Sequence, residues 1–101
     1  MGKRHIWTLN ENQYCVDAVI EHFVLDNWHE LKRLTDDLYI HFEKEISYNS
    51  IKMKLQNIKY LLEEYKVKNS LLLRPLSNYS QDNLIAFLKA IQNLSQDYFQ
   101  A

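Results

Sequence analysis

The chain has 101 residues, of which 47% are apolar and 25% are charged. This length gives a single domain with one modest core, and the apolar content excludes a disordered chain. The formal net charge of −1 excludes a protein that binds polyanions such as nucleic acids through an overall positive charge. Binding to a nucleic acid would therefore need a local patch of basic residues.

The composition also indicates the fold class and the compartment. One Gly and one Pro leave few residues for tight turns, which argues against β-sandwiches and barrels and favours helices. Cys15 is the single cysteine, so no disulfide framework or cysteine zinc cluster is expected, and a reducing compartment is favoured. We find no signal-peptide pattern and no run near the ~20 apolar residues of a membrane span. These observations predict a cytoplasmic protein without a membrane contact.

The first predicted helix follows a short basic arm, residues 1–7, which contains Lys3 and Arg4 and ends in Trp7. Thr8 and Glu11 have the spacing of a capping box, which predicts a helix from about residue 9 to 25. We expect its buried stripe to consist of Leu9, Val16, Val19, Ile20 and Phe23. Its polar side is acidic, with Glu11, Asp17 and Glu21, and should not face a phosphate backbone.

A second helix is predicted from about residue 28 to 42, capped by Asp26 or Asn27. Its apolar stripe comprises Leu31, Leu34, Leu38 and Phe42. Residues 43–47 then form a short link in which Ile46 is expected to fill the corner before the next helix. No Gly marks this corner.

The third helix is predicted from Ser47, as its N-cap, to about Tyr65. Its inward stripe is Ile51, Leu55, Ile58 and Leu62, at helical spacing. The other face is basic and rich in amides, without an acid before Glu63: Asn49, Lys52, Gln56, Asn57 and Lys59. Two interpretations remain open, an ordinary solvated face and a surface that contacts base edges and phosphates.

A connector, residues 66–80, precedes the last predicted helix. It contains Leu71–Leu73, and Pro75 disfavours a helical backbone at Arg74. The C-terminal helix is expected at 81–97, with Leu84, Phe87, Leu88, Ile91 and Leu94 buried. The pattern as a whole predicts one all-α domain, 1–101. It is a small trihelical helix-turn-helix or SANT-like bundle, 8–65, with an additional C-terminal helix.

Two stretches resemble known families. The opening Trp7-Thr-Leu-Asn-Glu11 is similar to the Trp-Thr-x-x-Glu start of SANT/Myb-like repeats. Residues 49–58 resemble the S-V-x-M-K-L-x-N helix of a bacterial and phage helical domain that precedes HNH-type nuclease modules in restriction-like endonucleases. The matching positions are Ser50, Ile51, Met53, Lys54, Leu55 and Asn57. The resemblance spans about residues 5–62 and implies association with DNA, without making this chain a nuclease.

Our first functional hypothesis is therefore a module that binds double-stranded DNA, as a regulator or accessory factor in a phage or bacterial setting. The first turns of a recognition helix reach deepest into the major groove, so Tyr48, Asn49 and Lys52 should lie nearest the bases. Gln56 and Lys59 lie farther along the same side. Lys54 is expected to contact phosphate, and Lys3 and Arg4 are expected to reach phosphate or the minor groove. The full predicted set is Lys3, Arg4, Tyr48, Asn49, Lys52, Lys54, Gln56 and Lys59.

The rival hypothesis is a protein-binding inhibitor or adaptor, such as a phage-type inhibitor of a host defence nuclease. In it Glu11, Asp17 and Glu21 would occupy the place of phosphates on the target. A third hypothesis is a homodimer that pairs through Leu71–Leu73 or through the outer side of the last helix.

Catalysis, metal binding and cofactors are not expected. Cys15 and His22, like His22 and His29, are seven residues apart, which does not match the i, i+4 spacing of a helical zinc site. Adjacent acids such as Asp36 and Asp37 point to different sides of a helix and cannot converge on one reacting group.

Overall fold

The computed structural model describes residues 5–26 and 30–100. Lys3, Arg4 and Asn27, three of the residues to which the sequence assigns roles, lie outside the described residues.

The predicted all-α class is confirmed. Within the described residues, four α-helices follow one another: α1 (Leu9–Ile20), α2 (Leu31–His41), α3 (Tyr48–Glu64) and α4 (Gln81–Ile91). A π-helical turn, Glu21–Leu25, extends α1, and a 3₁₀ turn, Gln96–Tyr98, follows α4. Over the described ranges, extended pairing is limited to an isolated antiparallel bridge between Val67 and Phe99.

The helices pack as two pairs around one core. Helix α1 lies along α4, α2 lies on α3, and α3 also contacts α1 and α4. Side chains from all four helices are fully or almost fully buried in this core, including Val16, Val19, Phe23, Leu34, Leu38, Ile51, Leu55, Ile58, Leu62 and Phe87. Helix α4 is therefore an integral part of the core, because α1 has its most extensive helix contact with it.

Helix α1 begins as the sequence predicts. The Thr8 hydroxyl accepts a hydrogen bond from the Glu11 N–H at 3.1 Å, and the Glu11 carboxylate accepts one from the Thr8 N–H at 2.9 Å. Leu9, however, is 43% exposed, so its place in the buried stripe was wrong. The buried arc of α1 runs instead through Asn12, Val16 and Val19, at i, i+4 and i+7, and Leu9 lies at its edge.

The boundary between α1 and α2 differs from the prediction. Asp26 closes the π-helical turn, because its N–H donates to the Glu21 carbonyl at 3.0 Å and its backbone is extended. It therefore ends the first helix instead of capping the second. Helix α2 starts at Leu31, about one turn later than expected, and its N-cap residue Glu30 makes no side-chain capping bond.

The corner between α2 and α3 forms without glycine. Glu43 and Lys44 both adopt left-handed backbone conformations, with φ of 57° and 61°. The N–H of Lys44 donates to the Tyr39 carbonyl at 2.9 Å, which closes the end of α2. Ile46 is buried at this corner as predicted.

The last helix is shorter than predicted. Helix α4 ends at Ile91, and Leu88 is 39% exposed, so its expected burial was wrong. Asn83, Ala86 and Phe87 are the buried residues of this helix, and Leu84 and Ile91 are half-buried.

The connector between α3 and α4 is fixed by backbone hydrogen bonds. The N–H of Ser70 donates to the Phe23 carbonyl in the π-helical turn at 2.8 Å. Two bonds of 2.8 Å, from Lys68 to Tyr98 and from Gln100 to Lys66, join the connector to the segment after α4. This arrangement places residues 66–80 against the side of α3.

Candidate functional site

The exposed surface at the start of α3, which we call the outer face, consists of Tyr48, Asn49 and Lys52. Ser47 caps the helix as predicted, since its hydroxyl accepts from the Ser50 N–H at 3.1 Å. The stripe from Ile51 to Leu62 is buried, which turns the outer face away from the core. Gln56, one turn farther along, is half-buried.

The outer face adjoins an ion pair on α2. The Lys32 ammonium contacts the Asp36 carboxylate at 2.9 Å, and the Tyr48 hydroxyl lies near enough to Asp36 for each to affect the pKa of the other. Lys32 and Tyr48 together lower the pKa of Asp36, while partial burial and the neighbouring Asp36 raise the pKa of Tyr48. Asp36 thus neutralises Lys32, which leaves Lys52 as the cation of the outer face with no acid paired to it among the described residues.

A shallow hollow of about 190 Å³ lies between α2, the outer face and the connector. Its floor is apolar and two lysines stand at its edge; the lining residues are Leu31, Lys32, Thr35, Tyr48, Lys52, Leu55 and Leu73.

Two of the polar residues of α3 contact the connector instead of facing solvent. The Asn57 amide donates to the Leu76 carbonyl at 2.7 Å and to the Asn78 side-chain oxygen at 3.1 Å. The Lys59 ammonium donates to the Asn69 oxygen at 2.9 Å and lies 3.6 Å from the Glu63 carboxylate. The Lys59 side chain is 14% exposed. The expectation that Lys59 belongs to an open DNA-contacting face is therefore corrected, because its charge is already satisfied within the chain.

Lys54 was expected to lie on the surface and to contact a phosphate, but it does not lie there. It is 6% exposed, and its ammonium nitrogen stands 4.9 Å from the centroid of the Trp7 ring. Burial lowers the pKa of Lys54, because desolvation penalises its charged form. Trp7 itself is fixed by an edge-to-face contact with Phe42 at 5.8 Å.

Acidic side chains line a separate cleft between α1 and α2. Asp17 and Glu21 contribute from α1 and Asp37 from α2, beside Tyr14 and His22. Glu11, the third acid that the rival hypothesis invokes, is engaged elsewhere: it caps α1 and contacts the His5 ring at 2.9 Å. Burial opposes ionisation of Glu11, but the bonds from Thr8 and His5 outweigh it and lower its pKa.

The surfaces named by the dimer hypothesis are only partly available. Leu71 is fully buried, whereas Leu72 is 83% exposed and Leu73 is half-buried. Helix α4 exposes Ile85 and Leu88, one turn apart on its outer side.

The described part of the chain shows no grouping of three His, Cys, Asp or Glu side chains that is able to hold a metal ion. Cys15 is buried, and desolvation raises the pKa of its thiol to about 12, so it is a poor nucleophile. None of the helices described here has the length and apolar content that crossing a membrane requires.

Sequence reasoning missed the partners of these residues. The pair Lys32 and Asp36 was detectable, since i, i+4 spacing places opposite charges side by side on a helix. The contact of Trp7 with Lys54 and the clamp of Asn57 on the connector join residues far apart in the chain, and no local pattern indicates them.

Comparisons with protein-family models, with curated proteins and with solved structures give no match for this chain. The resemblance to the helical domain that precedes HNH-type nucleases therefore stays a prediction, and functional inference must start from the residues above.

Proposed function

We propose that this domain is a small, non-catalytic, DNA-associated helical module that acts inside the cell as a regulator or an accessory factor. The observation that carries the proposal is the outer face: Tyr48, Asn49 and Lys52 are exposed together at the start of α3, after the α2–α3 corner. The first turns of a helix that enters a major groove are the ones that reach base edges.

The chemistry of the three side chains suits this role. An Asn amide can bond both polar atoms of an adenine edge, and a lysine binds guanine or phosphate. Few cations contribute, because Lys54 and Lys59 are held inside the chain and Lys32 is paired with Asp36. Affinity for DNA is consequently low and falls with salt, and the module works beside a tethered partner or as one of several copies.

The test is a fluorescence anisotropy titration of a DNA duplex at about 50 and about 150 mM salt, a range over which a phosphate-dependent complex weakens measurably. Lys52→Ala is expected to weaken binding and to lower the salt slope by about one unit. Lys89→Ala, which removes an exposed lysine of α4, is the matched control. Equal binding by wild type, Lys52→Ala and Asn49→Ala would exclude the outer face.

The second candidate is a protein-binding inhibitor or adaptor, and the acidic cleft between α1 and α2 is the observation that favours it. Asp17, Glu21 and Asp37 place three carboxylates from two helices around one opening. Such a cleft attracts the basic surface of a nucleic-acid-binding protein. Co-purification of a stoichiometric basic protein, lost in Asp17→Asn with Glu21→Gln, together with no duplex binding, would select this function over the first.

A further inference from the structure

A second cavity, of about 280 Å³, lies on the opposite side of α3 from the outer face. Residues of the N-terminal segment, of α3 and of the start of α4 line it, notably Trp7, Ser50, Lys54, Asn57, Ser80 and Asp82. At 100° per residue, Lys54 projects about 160° away from Lys52 around the helix axis. The cavity therefore lies on a different side of α3 from Lys52, and it adjoins the outer face only where Met53, in its lining, contacts Asn49.

The Lys54 ammonium is the central feature of the cavity. The side chain is more than nine-tenths buried, and within the described ranges no acceptor lies at hydrogen-bond distance from it. Trp7 covers one side of the ammonium, and Asp82 acts on it only through space, beyond ion-pair distance. The ammonium nitrogen itself is not fully enclosed, so it opens on the cavity and its N–H groups can donate to an acceptor held there.

The start of α4 adds further donors at the same place. Ser80 caps this helix, with its hydroxyl accepting from the Asn83 N–H at 3.1 Å. The N–H groups of a helix's first turn otherwise lack intrahelical partners and carry a partial positive charge, which favours anions. Ser80 and Asp82 line the cavity, so this turn faces the same space as the Lys54 ammonium.

Asp82 restricts the kind of anion that fits. A fully ionised ligand is repelled by this carboxylate, whereas a ligand with one protonated oxygen donates a hydrogen bond to it. Inorganic phosphate still carries one protonated oxygen near neutral pH, whereas a phosphate monoester, whose second pKa is about 6, carries one mainly below that pH. The other titratable side chain at the cavity, His5, is engaged with Glu11 at 2.9 Å.

We propose that this cavity is a phosphate-binding site in which Lys54 and the first turn of α4 hold the anionic oxygens and Asp82 accepts from the protonated one. A free phosphate monoester and the terminal phosphate of a nucleic-acid strand present the same group to it.

The test is an NMR titration of the intact chain with inorganic phosphate, followed through the backbone amides of Lys54 and Asp82. Wild type is expected to show saturable shifts with a Kd in the range of about 1 mM, typical of a small ligand held by few contacts. Lys54→Met keeps the length and apolar stem of the side chain, and it is expected to weaken phosphate binding at least tenfold. Lys52→Met, on the outer face, is the matched control and should bind as wild type.

Asp82→Asn provides an independent variant should Lys54→Met fold poorly. Replacing the carboxylate by a neutral, weaker acceptor should weaken binding of phosphate severalfold while the helix keeps its Ser80 cap. Unchanged or tighter phosphate binding by this variant would contradict the assigned role of Asp82. The absence of saturable shifts in wild type, or equal shifts in Lys54→Met, would overturn the site.

A final comparison distinguishes the source of the phosphate. Single strands with and without a 5′-phosphate are titrated against wild type and Lys54→Met at about pH 5.5, where the terminal phosphate keeps one proton. If the 5′-phosphate raises the affinity of wild type for the strand and Lys54→Met abolishes this increase, the ligand is the phosphate at a strand end. If wild type binds inorganic phosphate but the 5′-phosphate does not raise its affinity for the strand, the ligand is a small phosphate compound. Because duplex binding is tested through Lys52, failure of one proposal leaves the other standing.

Discussion

Helix α3 carries similar polar residues on two sides that differ in their roles. On the outer face, Asn49 and Lys52 are exposed. On the side next to the connector, Asn57 and Lys59 make hydrogen bonds of 2.7–3.1 Å to residues 69–78. An asparagine and a lysine thus occur in both places, and the presence of a neighbouring segment decides whether they hold the fold or remain free for a partner.

A basic, amide-rich helix face in a sequence therefore does not by itself show which of its residues are open to a partner. The residue types alone suggest a single surface for nucleic acid, but only the part of α3 that no other segment covers is open to one. The stability of the domain should therefore depend on the connector side, and any DNA binding should depend on the outer face.

The largest expected effect is on the connector side, in Asn57→Ala. The change removes two hydrogen bonds and leaves the Leu76 carbonyl without its side-chain donor. Partly buried hydrogen bonds of this kind contribute about 0.5–1.5 kcal/mol each, so the loss of both lowers the free energy of unfolding by about 1–3 kcal/mol. Asn49→Ala on the outer face is the matched control and should change it by less than about 0.5 kcal/mol. Urea denaturation measures both, and similar losses in the two variants would contradict the comparison.

The two lysines provide the next test. Lys59→Ala removes the bond to Asn69 and the contact with Glu63, and we expect the free energy of unfolding to fall by about 1 kcal/mol. Lys52→Ala should leave stability within about 0.5 kcal/mol of wild type, because its side chain is exposed. Thermal unfolding of the two variants, measured side by side, compares their losses of stability. A larger loss of stability in Lys52→Ala than in Lys59→Ala would contradict the inference that the connector side, and not the outer face, stabilises the fold.

The same distinction between enclosed and exposed groups applies to acids and predicts a pH dependence. The folded chain lowers the pKa of Glu11 from its ordinary 4.5, so ionised Glu11 stabilises the fold above that value. The contribution is lost as the pH falls through the folded pKa. Glu11→Gln, which retains the oxygen acceptor of the capping box, should be less stable than wild type at pH 7 by under about 1 kcal/mol, and this gap should shrink as the pH falls below 4.5.

Urea denaturation across this pH range measures the effect. A gap between wild type and Glu11→Gln that widens as the pH falls would contradict the assignment. Asp36→Asn, at an exposed ion pair, is the comparison variant and should show a smaller change with pH.

The smallest effect concerns DNA binding and rests on the proposed function. Asp36→Asn removes the acid that neutralises Lys32 beside the outer face, so the local positive charge rises. We expect duplex affinity to increase about two- to fivefold at low salt, with a steeper salt dependence. Asp97→Asn removes an exposed acid in the 3₁₀ turn after α4 and serves as the control for net charge. An equal gain in both variants would show that net charge, and not this surface, governs binding.

Local signals in the sequence predicted much of the fold. Thr8 with Glu11, and Ser47, marked two helix starts because capping depends on residues three positions apart. The periodic stripe of α3 and the corner position of Ile46 were also correct, since each follows from spacing along one helix or one link.

The remaining errors come from contacts between distant parts of the chain. Lys54 is buried because Trp7, 47 positions earlier, lies over it, and Lys59 is satisfied by Asn69 in the connector. Leu88 is exposed because no described element covers that side of α4, although its spacing is that of a core residue. The exposure of polar side chains was thus predictable in the first turns of α3, where no other segment covers the helix. Beyond those turns it was not predictable from the sequence.

The buried thiol of Cys15 has a practical consequence for studying this domain. It lies at zero exposure in the core, close enough to Lys54 of α3 to interact with its charge, and its pKa of about 12 leaves almost no thiolate at neutral pH. Alkylating reagents should reach it only when the helices around it separate. The rate at which the native protein is labelled therefore reports how often the core opens, without the introduction of any foreign probe.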